Sequence, residues 1–123
     1  MLETAKFIAF AATTDSARAR RFYEGVLGFA VLSDDPFALA LNVNGTMLRM
    51  QKVGSFIPPP FTALGWQVAD IGLTIDALRK RGVTFERYPG MVQDERGIWT
   101  SPSGACVAWF KDPDGNTLSL SEL

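Results

Sequence analysis

The chain carries one pattern twice, and this internal repeat restricts the folds open to it. The segments "NGTMLRM" and "DGNTLSL" align when Gly45 is placed on Gly115, and each alternates apolar with other residues after its glycine turn. Alternation of this kind is typical of a strand with one buried face. Self-similarity along the chain predicts two copies of one supersecondary unit, each too small to bury its apolar face alone.

Each copy is predicted to contain a strand, a helix and three further strands. In the first copy, Thr14 or Asp15 can cap a helix whose apolar stripe runs from Ala19 to Leu27, and Gly28 can end it. In the second copy, a helix capped by Asp70 carries its own apolar stripe and ends at Gly82. The strands are predicted at residues 5–11, 29–33, 37–43 and 46–53, and then at 62–69, 83–88, 105–111 and 117–123.

A run of three prolines separates the copies. Pro58 to Pro60 favour extended polyproline geometry and do not fit inside a sheet. The sequence therefore predicts one domain of 123 residues with module 1 at 1–53, a linker at 54–62 and module 2 at 63–123. One helix covers one face of a four-stranded sheet, so we expect the remaining faces of the two modules to form a cup-shaped mixed sheet suited to a ligand. Pairing of the modules within one chain or between two chains stays open.

Composition excludes several classes of function. The net charge is −1 with no basic block, so we expect no nucleic-acid partner, and no apolar run approaches the roughly 20 residues of a membrane-spanning helix. The N-terminus has no basic region followed by a long apolar stretch, which predicts a cytoplasmic protein. There is no histidine and one cysteine, Cys106. These counts exclude Ser-His or Cys-His nucleophiles, an intrachain disulfide, and metal sites that need imidazole or a cysteine cluster.

Three segments resemble one known family. "FYEGVLGF", "DIGLTIDALRKRGV" and "WFKDPDGNTLSLSE" are similar to the vicinal oxygen chelate superfamily, which includes glyoxalase I, extradiol dioxygenases, fosfomycin-resistance enzymes and bleomycin-binding proteins. The resemblance covers nearly the whole chain. It implies an α+β fold of two tandem βαβββ modules, the glyoxalase/bleomycin-resistance fold, and assembly as a homodimer. It also implies a divalent metal ion held by the first and last strands of each module.

This sequence departs from the family at the positions of the metal ligands. The resemblance places the two last-strand positions at Ser119 and, by the repeat, Arg49, and the two first-strand positions near Ile8 and Leu64. A serine hydroxyl is a poor ligand, and a guanidinium has only donors and stays charged. We therefore expect no metal cofactor, although a divalent metal held by other residues remains the alternative.

The expected ligand is a small, partly aromatic or apolar molecule bound without metal. Arg49 could anchor a carboxylate or phosphate of that ligand, although a solvated or ion-paired arginine is the alternative. The tryptophans could stack on a planar ligand or serve the core, and Trp109 and Cys106 are assigned to packing. The candidate ligand-binding residues are Arg49, Gln51, Trp66, Gln67, Trp99 and Ser119.

Three hypotheses about function stay open at this stage. The first is a small-molecule-binding protein similar to the bleomycin-resistance branch. The second is a lyase, isomerase or dioxygenase related to glyoxalase, which would use a metal held elsewhere or loop acids, with Asp94 and Glu95 as candidate general bases. The third is an accessory or regulatory module whose dimer surface matters most. The sequence names neither the ligand nor the pathway.

Overall fold

The computed structural model describes all 123 residues and divides them into two compact units, Met1–Ile57 and Pro58–Leu123. Each unit contains one four-stranded mixed sheet and one helical segment, so the predicted α+β fold with a repeated βαβββ unit is confirmed. The stretch predicted as a linker is divided between the units, and the proline run belongs to the second.

The first unit begins with a short 3₁₀ turn and continues with the repeated motif. Its strand order is β1-β4-β3-β2, with β1 parallel to β4 and the other pairs antiparallel. Asn44 and Gly45 both have positive φ, as a type I′ hairpin turn requires, and they join β3 to β4. The elements are Leu2–Thr4 (3₁₀), β1 Ile8–Thr13, α1 Ser16–Arg20, a π-helical turn Arg21–Val26, β2 Ala30–Asp34, β3 Ala38–Val43 and β4 Thr46–Lys52.

The helix of the first unit differs from the expected single α-helix. Asp15 caps it by accepting a hydrogen bond from the Arg18 backbone N–H, and Gly28 follows its end with φ +84°. Between these residues the α-helical turn gives way to a π-helix, which shifts the side chains around the axis. Ala19 and Tyr23 are fully buried as predicted, whereas the rest of the apolar stripe is partly exposed.

The second unit repeats the order of the first, β5-β8-β7-β6, with β5 parallel to β8. Asp70 caps its helix by accepting from the Leu73 N–H, and Gly82 ends it with φ +92°. The strands β7 and β8 are joined by a turn through Gly115. The elements are β5 Thr62–Gln67, α2 Ile71–Lys80, β6 Trp99–Thr100, β7 Cys106–Lys111 and β8 Thr117–Glu122.

The strand predicted at residues 83–88 is wrong. Only Phe85 forms an isolated bridge, to Phe110, and the second strand of the motif is instead the two-residue β6. The reason is a competing partner: the Gln93 side chain accepts from the Tyr88 N–H and donates to the carbonyls of Glu86 and Gly97. A side-chain amide thus replaces the ladder that would have continued the strand.

In each unit one face of the sheet supplies the core. In the first unit this face carries two pairs opposite each other in register, Leu39 with Met50 and Leu41 with Leu48, all 0–2% exposed. In the second unit the matching pairs are Ala108 with Leu120 and Phe110 with Leu118, all 0–3% exposed. Successive side chains of a strand point to opposite faces, and the candidate ligand-binding residues other than Trp66 lie on the face opposite this core.

Candidate functional site

The strand register shows which first-strand residues lie beside the two last-strand positions that the resemblance assigns to a metal. In the first unit Arg49 lies beside Phe10 on the parallel neighbour, and in the second unit Ser119 lies beside Gly65. These neighbours lie two residues beyond Ile8 and one beyond Leu64, within the range that the resemblance implies. The four positions so defined are occupied by a phenyl ring, a guanidinium, a glycine and a serine hydroxyl.

The pair in the second unit is too crowded for a ligand side chain. A Cβ built on Gly65 would stand 2.8 Å from the Ser119 Oγ, well inside van der Waals contact, and Ser119 is only 7% exposed. The serine hydroxyl therefore fills the space above the glycine. A carboxylate or imidazole at position 65 does not fit beside this hydroxyl.

The residues present do not fit a divalent metal. The Arg49 position carries a fixed positive charge, which would repel the ion, and neither Phe10 nor Gly65 has a donor atom in its side chain. No group of three or more His, Cys, Asp or Glu side chains stands close enough together to hold a metal ion. The metal chemistry that the resemblance implies therefore has no ligand set at these four positions.

The second unit contains a pocket of about 740 Å³ on the same face as Ser119. Its walls combine aromatic rings, a thioether and prolines with a lysine and two threonines. The volume lies in the range of small-molecule sites. The lining residues are Pro58, Pro59, Pro60, Phe61, Thr62, Tyr88, Met91, Trp109, Lys111, Gly115 and Thr117.

Trp109 is the centre of the aromatic wall. The Tyr88 ring meets it edge to face with centroids 5.7 Å apart, and the Trp99 ring lies tilted at 6.3 Å. The indole N–H of Trp109 donates to the Thr62 Oγ at 3.1 Å, which fixes the orientation of the ring. Sequence reasoning assigned Trp109 to packing, yet its half-buried ring lines the pocket.

The phenol of Tyr88 stays protonated in this wall. Burial raises the pKa of Tyr88 above its usual value of 10.0, and the negative charge of Glu86 raises it further. At neutral pH the phenol is therefore neutral and able to donate a hydrogen bond.

The candidate residues of the second unit fall on two faces. Ser119 lies directly opposite Trp109, Gln67 lies beside Ser121 in the next row, and Trp99 pairs with Val107 on the same face. Trp66 instead pairs with Leu120 and stacks on Phe110 at 6.5 Å. Ser119, Gln67 and Trp99 thus share the face of Trp109, although none of the three lines the pocket, and Trp66 lies on the core side of the sheet.

The two candidates of the first unit share a face of their own sheet. Arg49 lies opposite Ala40 and Gln51 opposite Ala38, and both alanines are almost fully buried. Arg49 is half-buried and Gln51 is exposed. Asp35 holds the start of β3 by accepting hydrogen bonds from the N–H groups of Phe37 and Ala38. These two hydrogen bonds are the main cause of its lowered pKa, and the positive charge of Arg49 lowers that pKa further.

The two loop acids proposed as general bases lie outside the pocket. The Asp94 Oδ1 accepts from the N–H groups of Arg96 and Ile98, so this carboxylate stabilises its own turn. Glu95 is 83% exposed and lies 3.9 Å from an Arg96 nitrogen. Neither acid is among the residues that line the aromatic pocket.

Sequence reasoning missed most of the pocket. A β-bulge at Ala63 shifts the register between Thr62 and Leu64, which brings Thr62 to the Ser119 face. Tyr88 ends the segment wrongly predicted as a strand, and Met91 follows it by three residues in the chain. The one available signal was parity, because Lys111 and Trp109 alternate with the core residues Phe110 and Ala108.

Architecture and register together define a class: α+β proteins built from two βαβββ units. The family model described as Glyoxalase/Bleomycin resistance protein/Dioxygenase superfamily matches residues 6–120. The chain therefore belongs to this superfamily, as the resemblance predicted. A search of curated proteins found no match.

Solved structures support the same fold. A glyoxalase family protein from Enterococcus faecalis has a TM-score of 0.77 at 22% identity, covering 99% of this chain and 100% of that one. A superfamily member from Sphaerobacter thermophilus DSM 20745 has a TM-score of 0.71 at 23% identity, covering 97% and 98%. An integron cassette protein from the Halifax Harbour sewage outfall metagenome has a TM-score of 0.72 at 22% identity, covering 98% and 99%. Identities this low show the fold alone.

None of the helices has both the length and the apolar character needed to cross a membrane.

Proposed function

We propose that this superfamily member binds a small, partly aromatic or apolar molecule without a divalent metal. The observation that carries the proposal is the pocket in the second unit, whose walls are mainly aromatic and proline side chains around Trp109. Rigid rings and prolines offer a large apolar contact area at little cost in side-chain entropy. A planar ligand would gain both burial and ring contacts there.

The side chains at the family's metal positions support the metal-independent form of the proposal. Ser119 fills the space above Gly65, and Arg49 carries a positive charge beside Phe10. Apolar burial and hydrogen bonds are left to provide the affinity. The homodimer and the cytoplasmic location stay predictions.

The test is a ligand titration on protein freed of metal. The protein is treated with EDTA, dialysed and titrated with naphthalene-based probes while tryptophan fluorescence and heat are recorded. We expect saturable binding that added Mn²⁺, Ni²⁺ or Zn²⁺ does not change. Trp109→Leu should weaken binding by roughly tenfold or more, because it removes a large ring from the wall.

Trp66→Phe is the matched control, since Trp66 lies on the core face of the same sheet. Its affinity for the probes should stay within about twofold of the wild-type value. Circular dichroism of Trp66→Phe and Trp109→Leu should show that both variants are folded. Binding that appears only after a divalent metal is added would contradict the proposal and favour the metalloenzyme. Equal losses in both variants would show that the pocket is not the binding site.

A further inference from the structure

Three hydrogen-bond donors form one row across the floor of the pocket. Lys111 on β7 lies opposite Thr117 on β8, and Thr117 lies beside Thr62 on β5. All three line the pocket, so they share its face of the sheet. Neighbouring strands are about 4.8 Å apart, which puts adjacent members of the row within reach of one small anionic group.

Each member of the row has a proton available for a ligand. Lys111 has no ion-pair partner, and the Thr117 hydroxyl makes no hydrogen bond within the chain although the residue is only 8% exposed. The Thr62 Oγ accepts from the Trp109 indole, so its own hydroxyl proton is free to be donated.

No acid lines this pocket. The nearest carboxylate in sequence, Asp112, is turned away into the hairpin, where it accepts from the N–H groups of Asp114 and Asn116. Tyr88 adds a neutral phenol, because its raised pKa keeps it protonated. The polar part of the pocket therefore offers one positive charge and several donors.

The internal repeat shows that the fold itself does not need these donors. In the first unit the same row consists of Asn42, Met47 and Ile8, at matching places on the third, last and first strands. Two of these three side chains are apolar and none is charged. The row of the second unit is therefore a property of its pocket and not of the βαβββ frame.

We propose that the pocket takes a planar aromatic carboxylate, with its ring against Trp109, Tyr88 and the proline run. The carboxylate lies over the row and accepts from Lys111, Thr117 and Thr62. This inference rests on the proposed function, since it names the chemical class of the ligand for the same site. A charged acceptor suits the row because hydrogen bonds to ionised groups are about twice as strong as neutral ones.

The experiment compares 2-naphthoate with its neutral isostere 2-naphthamide on metal-free protein at low and moderate salt. We expect 2-naphthoate to bind about tenfold more tightly than the amide, with the difference narrowing as salt rises. Lys111→Met should weaken naphthoate binding roughly fivefold and amide binding by less, because a neutral carbonyl accepts a weaker hydrogen bond, and Lys111→Arg should restore the preference. Thr117→Val, which is close in shape, should weaken naphthoate binding by roughly threefold and amide binding by less.

Lys80→Met is the control for charge, because Lys80 is an exposed lysine at the end of α2 and does not line the pocket. It should change neither affinity. Equal affinity for the two probes, or a Lys111→Met variant that retains the preference, overturns the carboxylate assignment while leaving the proposed function intact. If neither probe binds the wild-type protein and no other aromatic compound does, both proposals fall.

Discussion

Asp112 is expected to be the side chain on which the β7–β8 hairpin depends most. It is 5% exposed, and its Oδ1 accepts from the backbone N–H groups of Asp114 and Asn116 at 3.0 and 2.9 Å. Its Oδ2 accepts from the Asn116 side-chain amide at 2.8 Å, while Asn116 is itself only 2% exposed. One carboxylate thus satisfies three donors of the turn, in which Gly115 has φ +91°, and the two hydrogen bonds from Asn116 are buried.

Asp112→Ala leaves those donors without this acceptor. Losing a hydrogen bond to a charged group costs about 1.5–3 kcal/mol, but water reaches part of the turn, so we expect a total loss of about 3–5 kcal/mol. With a urea m-value of about 2 kcal/mol/M, the unfolding midpoint should fall by about 2 M. Asp112→Asn keeps an acceptor for the backbone donors, but its NH₂ group would face the NH₂ group of Asn116, and two donors cannot bond to each other. We therefore expect it to lower the free energy of unfolding by about 1–2 kcal/mol.

The assay is urea unfolding followed by circular dichroism, with a rescue variant that exchanges the two side chains. Asp112→Asn combined with Asn116→Asp restores one amide donor and one carboxylate acceptor, so it should be more stable than the sum of its single variants predicts by about 1 kcal/mol. Glu95→Ala, at an acid with 83% exposure, is the control and should change stability by less than about 0.5 kcal/mol. An Asp112→Ala unfolding midpoint within about 0.5 M urea of the wild-type value would refute the reasoning. Ligand binding should weaken together with stability, because the hairpin aligns Lys111 with Thr117.

Two further predictions concern stability. Gly65→Ala should lower the free energy of unfolding by about 1 kcal/mol, because the new Cβ meets the Ser119 Oγ. In a double-mutant cycle, adding Ser119→Ala should recover most of that loss. Additive effects of the two substitutions would show that the two side chains do not share a face. The bidentate hydrogen bond from Arg96 lowers the pKa of Asp76 below its ordinary value of 3.8. The stability that this pair contributes is therefore fully present at a pH above 3.8 and is lost as the pH falls through the lowered pKa. The Tm difference between wild type and Asp76→Asn should therefore shrink as the pH falls below about 4, and a difference that stays constant down to pH 2 would contradict this linkage.

The sequence predicts this fold well because local signals and the repeat agree. Asp15 and Asp70 act as the predicted helix caps, and the Asn44-Gly45 turn adopts the backbone that its residues favour. The prediction is wrong where a side chain from outside the segment, five residues after Tyr88, overrides local preference. Nothing in residues 83–88 indicates that the Gln93 amide will take over their hydrogen bonds.

The candidate site is less predictable because it depends on which residues share a face. A one-residue error along the first strand selects Trp66 in place of Gly65 or Gln67, and period-2 alternation then places the candidate on the core side. The bulge at Ala63 adds an irregularity that composition does not indicate. The pairing of Ser119 with Trp109 corresponds to that of Arg49 with Ala40, but the repeat alone does not predict it. Five residues separate β7 from β8, whereas two separate β3 from β4.

The two units separate what the fold requires from what the ligand requires. On the core face, Leu48 and Met50 of the first unit correspond to Leu118 and Leu120 of the second, so both copies retain apolar side chains there. On the opposite face, the counterpart of Ser119 is Arg49, a change from a neutral hydroxyl to a fixed charge that the sheet tolerates. The core face is apolar in both copies and the opposite face is not, so the opposite face is where the two copies differ in chemistry. The four positions that offer no ligand set for a metal, and the aromatic pocket with its row of donors, lie on this second face. The chain therefore combines the superfamily fold with a different chemistry in each unit.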